Sequence, residues 1–215
     1  MGRRRLPTAE GDKVKFSVVI PAHDIEQYVF QAVRSVLDQT FSDYEILVVA
    51  DSCTDGTVSE IRRAGVEPLV AHVGSAGRAR NVGLDCARGE YILFLDGDDY
   101  FIHERVFETI DRCLKDAGDV DILHFGFMMG RNPCGVHSNG GNMWPNIWSR
   151  AWKRAAIGST RFNDLRSGQD LYFCQDMFAK PSLTSAERDI LLVQYRYPRE
   201  GSLTWERLGG RGATA

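Results

Sequence analysis

Tyr91-Ile92-Leu93-Phe94-Leu95-Asp96-Gly97-Asp98-Asp99 sets five apolar residues directly against three carboxylates. An uninterrupted apolar run of this length suits a strand covered on both faces, as in a parallel sheet, rather than a strand with one wet side. Two other stretches are built the same way. Phe16-Ser17-Val18-Val19-Ile20 is stopped by Pro21 and continues into Ala22-His23-Asp24; Glu45-Ile46-Leu47-Val48-Val49-Ala50 ends in Asp51-Ser52-Cys53-Thr54-Asp55-Gly56.

Helical spacing fills the intervals. Apolar residues recur at Val29, Val33, Val36 and Leu37, and a short helix runs through Ile61. Leu69-Val70-Ala71 reads as a third strand, 79–87 and 103–115 as helices, and 121–127 as a further strand. Residues 130–147 are crowded with Gly, Asn and Pro and read as a long loop that becomes ordered when ligand contacts offset its entropy. Helices are expected over 148–156 and 169–179, and a last strand over 190–197. Strands alternating with helices predict an α/β fold: one Rossmann-like domain with a mostly parallel central sheet flanked by helices.

The bulk composition agrees with a single core. The chain has 215 residues, 43% hydrophobic and 26% charged, enough for one full domain. A formal net charge of −3 supplies no general attraction to nucleic acid or anionic membrane. Cys53, Cys86, Cys113, Cys134 and Cys174 are scattered and odd in number, which argues for reduced thiols and a cytoplasmic setting over a disulfide framework or zinc site. No run approaches the roughly 18 apolar residues of a membrane span. The basic start, Arg3-Arg4-Arg5, lacks a following apolar region and reads as a solvated tail or a contact to an anionic partner. The expected organisation is a disordered basic tail over 1–14, one domain over 15–206 and a disordered tail over 207–215.

In open α/β sheets, ligands bind beyond the carboxyl ends of the strands. Pro21 to Asp24, Asp51 to Asp55 and Asp96 to Asp99 all fall there, so the three polar turns are expected to line one crevice. Carboxylates crowded at the end of a buried strand repel unless a cation compensates them, and an oxygen-only set favours Mg²⁺ or Mn²⁺. Gly97 lets the backbone approach a ligand closely. An EF-hand is excluded because Phe101 occupies its required glycine position, and no G-x-G-x-x-G follows the first strand.

These residues carry a resemblance. Phe16-Ser-Val-Val-Ile-Pro-Ala-His-Asp, Glu45-Ile-Leu-Val-Val-Ala-Asp-Ser-Cys-Thr-Asp-Gly-Thr, Ala79-Arg-Asn-Val-Gly, and Gly89-Glu-Tyr-Ile-Leu-Phe-Leu-Asp-Gly-Asp-Asp resemble family 2 glycosyltransferases of the GT-A fold. The likeness continues through Trp148, Lys153, Ser167-Gly-Gln-Asp-Leu-Tyr-Phe and Tyr195-Arg-Tyr-Pro-Arg-Glu-Gly-Ser-Leu-Thr. It implies an inverting transfer from a nucleotide sugar, most often UDP-linked, to an acceptor hydroxyl, with a nucleotide-binding half over 15–100 and an acceptor-binding half over 101–206. By position, Pro21, Ala22, His23, Asp24 and Asp51 match the segments that hold base and ribose, and Arg80 an arginine near the nucleotide. Asp96 matches the carboxylate facing the ribose, Gly97 its neighbour in the turn, and Asp98 the ligand of a Mn²⁺ or Mg²⁺ ion. Asp170 matches the catalytic base; Asp99, Trp148, Tyr197 and Arg199 fall on the acceptor side. Trp144, Trp148 and Trp152 suit either a sugar platform or core anchoring.

The sequence departs from the family pattern at His23-Asp24 (commonly Tyr-Asn), at Ala50 (often acidic), at Ser52 (often Gly) and at Gln169 (commonly Glu). The resemblance leaves the acceptor open among glycan, small molecule, protein and modified nucleic acid. Nucleotidyl transfer and a non-catalytic nucleotide-sugar-binding module are the rival readings of the same acidic strand ends.

Overall fold

The computed structural model describes residues 14–137 and 145–196. Along the chain run β1 (Phe16–Ala22), α1 (Val29–Leu37), β2 (Tyr44–Asp51), α2 (Thr57–Ala64), β3 (Leu69–Ala71), α3 (Ala76–Cys86) and β4 (Tyr91–Phe94). They are followed by β5 (Tyr100–Phe101), α4 (Val106–Asp116), β6 (Ile122–Met129), β7 (Asn132–Cys134), β8 (Arg150–Lys153), α5 (Arg154–Ile157), α6 (Gln169–Phe178) and β9 (Ser185–Tyr195). The two expected tails and Tyr197, Arg199 and Trp144 lie outside the described residues, as does part of the expected loop.

The strands form one sheet in the order β3-β2-β1-β4-β8-β6-β9-β5, with β7 paired to β6. Its first half is parallel: β1 lies between β2 and β4, and β2 pairs with β3. The second half is mixed, since β8 runs antiparallel to both β4 and β6, and β9 is parallel to β6. The sheet is therefore less parallel than the sequence predicts.

The difference traces to one segment. Residues 148–156, expected as a helix, instead supply β8 and the single turn α5. Trp148, Ala151, Trp152, Ala155 and Ala156 do carry helical spacing. However, β4 and β6 each present an open edge, and inserting β8 satisfies the backbone groups of both. Arg150, Ala151 and Trp152 are all buried, so sheet packing overrides the local period. Part of the expected long loop is likewise strand, because β7 folds back on β6.

The apolar runs are buried as expected: Phe16, Val18, Val19 and Ile20 of β1 and the whole of β4 are sealed from solvent. Helix α1 packs Val29, Ala32, Val33 and Val36 inward. α3 lies close on β1 at Gly83, where a Cβ would sit 2.4 Å from Val19 Cγ1. This packing fixes α3 against the strand ends and so places Arg80 under the crevice. Among the described residues, no helix is long and apolar enough to cross a membrane.

Candidate active site

The parallel register brings the ends of β1, β2 and β4 to one edge, where the three polar turns meet. At β2, Asp51 is buried, and both its oxygens are taken by its own chain. Oδ1 accepts the N–H groups of Val73 (2.7 Å) and Gly74 (3.1 Å) and the Ser52 hydroxyl; Oδ2 accepts the Ser75 N–H (3.0 Å). Burial opposes its ionisation, but these four donors outweigh it and hold the carboxyl below its usual range. Asp51 therefore ties the turn between β3 and α3 to the strand end.

Asp24 does the same for the neighbouring turn. At positive φ (45°), it accepts the Thr54 N–H at 2.7 Å, the Asp55 N–H at 3.3 Å and the Thr54 hydroxyl at 2.9 Å. The Thr54 amide is the main reason that its pKa lies low. His23 donates Nδ1–H to the Asp51 carbonyl at 2.8 Å. Its side chain is 64% exposed, so an imidazole face is presented above the crevice at a fixed orientation.

At the end of β4, one ligand atom from each of Asp96, Asp98 and Asp99 lies within 4.8 Å of the others. Gly97 allows a close approach, but to the chain itself: a Cβ there would lie 2.8 Å from the Pro21 carbonyl and 2.4 Å from Ile25 Cδ1. Gly97→Ala is expected to cost about 1–3 kcal/mol through this overpacking, read as a lower denaturant midpoint with an unchanged slope.

Asp99 is 1% exposed and accepts the Arg196 N–H at 2.8 Å. Burial, together with Asp98 and Asp96, drives its pKa well above the carboxylate range, and Oδ2 has no hydrogen-bond partner among the described residues. Asp99 thus lies buried within the acidic cluster. Trp148 is likewise a core anchor, 6% exposed, edge-on to Phe127 at 4.6 Å and stacked on Tyr195 at 5.0 Å.

Arg80 joins the two sides of the crevice. It is 6% exposed, with one guanidinium nitrogen 2.6 Å from Asp96 Oδ1 and the other 3.5 Å from Asp170 Oδ1. Burial alone disfavours its charge, yet Asp96 and Asp170 more than compensate and its pKa is raised. Gln169, which sequence reasoning treated only as a lost carboxylate, accepts from Arg80 at 3.4 Å and donates to Ser75 Oγ at 3.1 Å. A neutral amide here leaves Arg80's charge to Asp96 and Asp170.

Asp170 stands in the first turn of α6. That helix is seated on β4 through Phe173, which stacks on Phe162 at 4.2 Å and meets Phe94 edge-on at 5.9 Å. Burial pushes the Asp170 pKa up to about 6; Arg80 opposes the rise, Asp96 adds to it, and the Ile147 N–H and Arg150 oppose it. The sequence placed this carboxylate at a helix start that favours the anion, but desolvation dominates. The roles of Ile147 and Arg196 were not legible in the sequence, because both act through backbone N–H groups.

The sequence matches Glycosyl transferase family 2 over residues 17–179. It is 35% identical over 126 residues to the poly(ribitol-phosphate) beta-N-acetylglucosaminyltransferase TarS of Staphylococcus aureus, a stretch covering 55% of this chain and 22% of that one. The fold is similar to the crystal structure of S. aureus TarS 1–349 in complex with UDP-GlcNAc, with TM-score 0.73 and 23% identity over 88% of this chain and 60% of that one. It is also similar to a mannosyltransferase from Pyrobaculum calidifontis in complex with GDP-Man and Mn²⁺, with TM-score 0.70 and 16% identity over 91% of this chain and 60% of that one. The present chain thus spans about a fifth of the TarS sequence and three fifths of each solved chain. With the family match running from the first strand through α6, and the acidic strand ends gathered at one edge of a GT-A-like sheet, the chain belongs to glycosyltransferase family 2.

Proposed function

We propose that this chain moves a sugar from a UDP-sugar donor to an acceptor hydroxyl with inversion at the anomeric carbon. The observation that carries the reading is the Asp96–Arg80–Asp170 link. Through it the Asp170 carboxylate of α6 lies close to the acidic end of β4. Asp170 accepts the acceptor hydroxyl's proton as that oxygen attacks from the face opposite the leaving diphosphate. A pKa near 6 leaves it mostly ionised at neutral pH and still basic enough to take a proton. Arg80 holds it in place and balances the charge of Asp96.

Pro21, Ala22, His23 and Asp24 line the base and ribose side, with His23 offering an exposed ring for the nucleobase; Asp51 orders the turn that continues this wall. The residues fit a divalent cation. Asp98 would hold it, with Asp96 close by and Asp99 Oδ2, unpartnered among the described residues, behind, all hard oxygens suited to Mn²⁺ or Mg²⁺. When bound, the ion supplies Lewis-acid stabilisation of the departing diphosphate. A UDP-GlcNAc complex and a Mn²⁺ complex among structures of similar fold support donor and ion as first candidates.

The test is a screen of nucleotide sugars with and without Mn²⁺, reading nucleoside diphosphate release. UDP release is the expected result; pyrophosphate release would replace this reading with nucleotidyl transfer, and donor binding without turnover with a binding module. Calorimetry tests the nucleotide wall. Asp51→Ala removes four hydrogen bonds to a charged group, each worth about 1.5–3 kcal/mol. UDP affinity should fall at least about tenfold, the equivalent of 1.4 kcal/mol. Unchanged affinity would place the base elsewhere.

A further inference from the structure

Gln169 opens α6 immediately before Asp170 and is 6% exposed. Every polar atom of its side chain is used. Nε2 donates to Ser75 Oγ at 3.1 Å and to the Leu165 carbonyl, while Oε1 accepts from Arg80 Nη1 at 3.4 Å. A buried amide is costly unless it is hydrogen-bonded. This one has a single satisfactory orientation, because turning it over would set its oxygen against the Leu165 carbonyl oxygen.

The amide sits where α3 packs tightly against the segment leading into α6. Gly77, in the first turn of α3, has no room for a side chain. A Cβ there would be 2.8 Å from the Asn163 carbonyl oxygen and 3.0 Å from Gln169 Cδ and Oε1. One turn further on, Asn81 fixes the same segment: Nδ2 donates to the Phe162 carbonyl and Oδ1 accepts the Phe162 N–H, both at 2.9 Å. Helix α3 carries Arg80, and residues 162–169 lead directly to Asp170, so this seam sets how the two meet.

The contacts form an unbroken run from β2 to α6. Asp51 Oδ2 accepts the Ser75 N–H at 3.0 Å, and Ser75 Oγ accepts from Gln169. Arg80 Nη1 then reaches both Gln169 Oε1 and, at 3.5 Å, Asp170 Oδ1. We infer that Gln169 is a positioning residue for the base: it pins the first turn of α6, and with it the Asp170 carboxylate, to the donor-side turn at Ser75. The inference rests on the reading of Asp170 as that base. Residues 169 and 170 share a peptide bond, so a shift of the first carries the second with it. Displacement of a reacting group by about 1 Å can cost about 10²-fold in rate. The donor-side turn itself does not depend on the amide, since Asp51 holds it through the backbone N–H groups of Val73, Gly74 and Ser75. The loss should therefore fall on kcat rather than on UDP binding.

The test compares Gln169→Met, Gln169→Glu, Ser75→Ala and Asp170→Asn in the full chain, using the UDP-sugar that the parent turns over. Gln169→Met keeps the length of the side chain and removes its hydrogen bonds. It is expected to lower kcat about 10- to 100-fold, with donor KM and UDP affinity within about threefold of the parent. Gln169→Glu should recover most of that loss, because Arg80 and the Ser75 hydroxyl can both donate to a carboxylate. Ser75→Ala should lower kcat in the same direction and add little when combined with Gln169→Met, as members of one network do. A parental kcat in Gln169→Met, with transfer lost in Asp170→Asn, overturns the bridge and leaves the base standing. Parallel loss of kcat, UDP affinity and melting temperature in Gln169→Met, unrescued by Gln169→Glu, reduces the amide to a structural role. Full transfer by Asp170→Asn removes the base, and the purpose of the bridge with it.

Discussion

Asp170→Asn is expected to lower sugar transfer by about 10²- to 10⁴-fold, the usual contribution of a positioned base, while UDP binding stays near the parental value. The substitution keeps shape and removes the proton acceptor. Donor contacts should survive because Asp51 and Asp24 hold their turns through hydrogen bonds that do not involve α6. The pH profile gives an independent reading. Asp170 acts in its ionised form, and its pKa is pushed up to about 6. The rate should therefore be level well above pH 6 and fall about tenfold per unit below it. Arg80→Met removes the cation that opposes the rise and should move that acidic limb to higher pH. Near-parental transfer by Asp170→Asn would assign the base to another group, with Asp176 the next candidate on the helix. Loss of transfer together with UDP binding would make Asp170 part of the donor wall or the fold.

Chelation should produce a loss of similar size. A cation on a leaving diphosphate contributes several kcal/mol, and about 1.4 kcal/mol corresponds to each decade of rate. EDTA should therefore reduce turnover by at least about 10²- to 10³-fold, with recovery on adding Mn²⁺ or Mg²⁺. Asp98→Ala should show the same low rate with no recovery, and its UDP affinity should no longer respond to Mn²⁺. Full turnover in chelator would assign leaving-group stabilisation to protein cations alone. Recovery of Asp98→Ala by added metal would move the ligand role to Asp96 or Asp99.

Much of the fold was legible because continuous apolar runs bounded by polar turns have few alternatives. Phe16 to Ile20, Glu45 to Ala50 and Tyr91 to Phe94 all lie in strands of the parallel half. The segment 148–156 was misread because Trp148 and Trp152 carry helical spacing, while its fate depended on two open strand edges distant in sequence. The two-residue β5 and three-residue β7 are too short to leave a pattern and exist only through their partners β9 and β6.

The same division runs through the site. Local order along the chain was enough to put the acidic turns at strand ends, because a strand's direction and its terminating residues are adjacent in sequence. Which carboxylates face the crevice was not a local matter. Asp99 follows Asp98 directly, yet the arrival of β9 and Arg196 buries it. Asp170 sits at a helix start that favours its anion, yet the surfaces packed around it raise its pKa. Burial, long-range ion pairs and backbone donors such as the Arg196 amide arise only when remote segments pack together, since desolvation and charge interactions depend on distance in space.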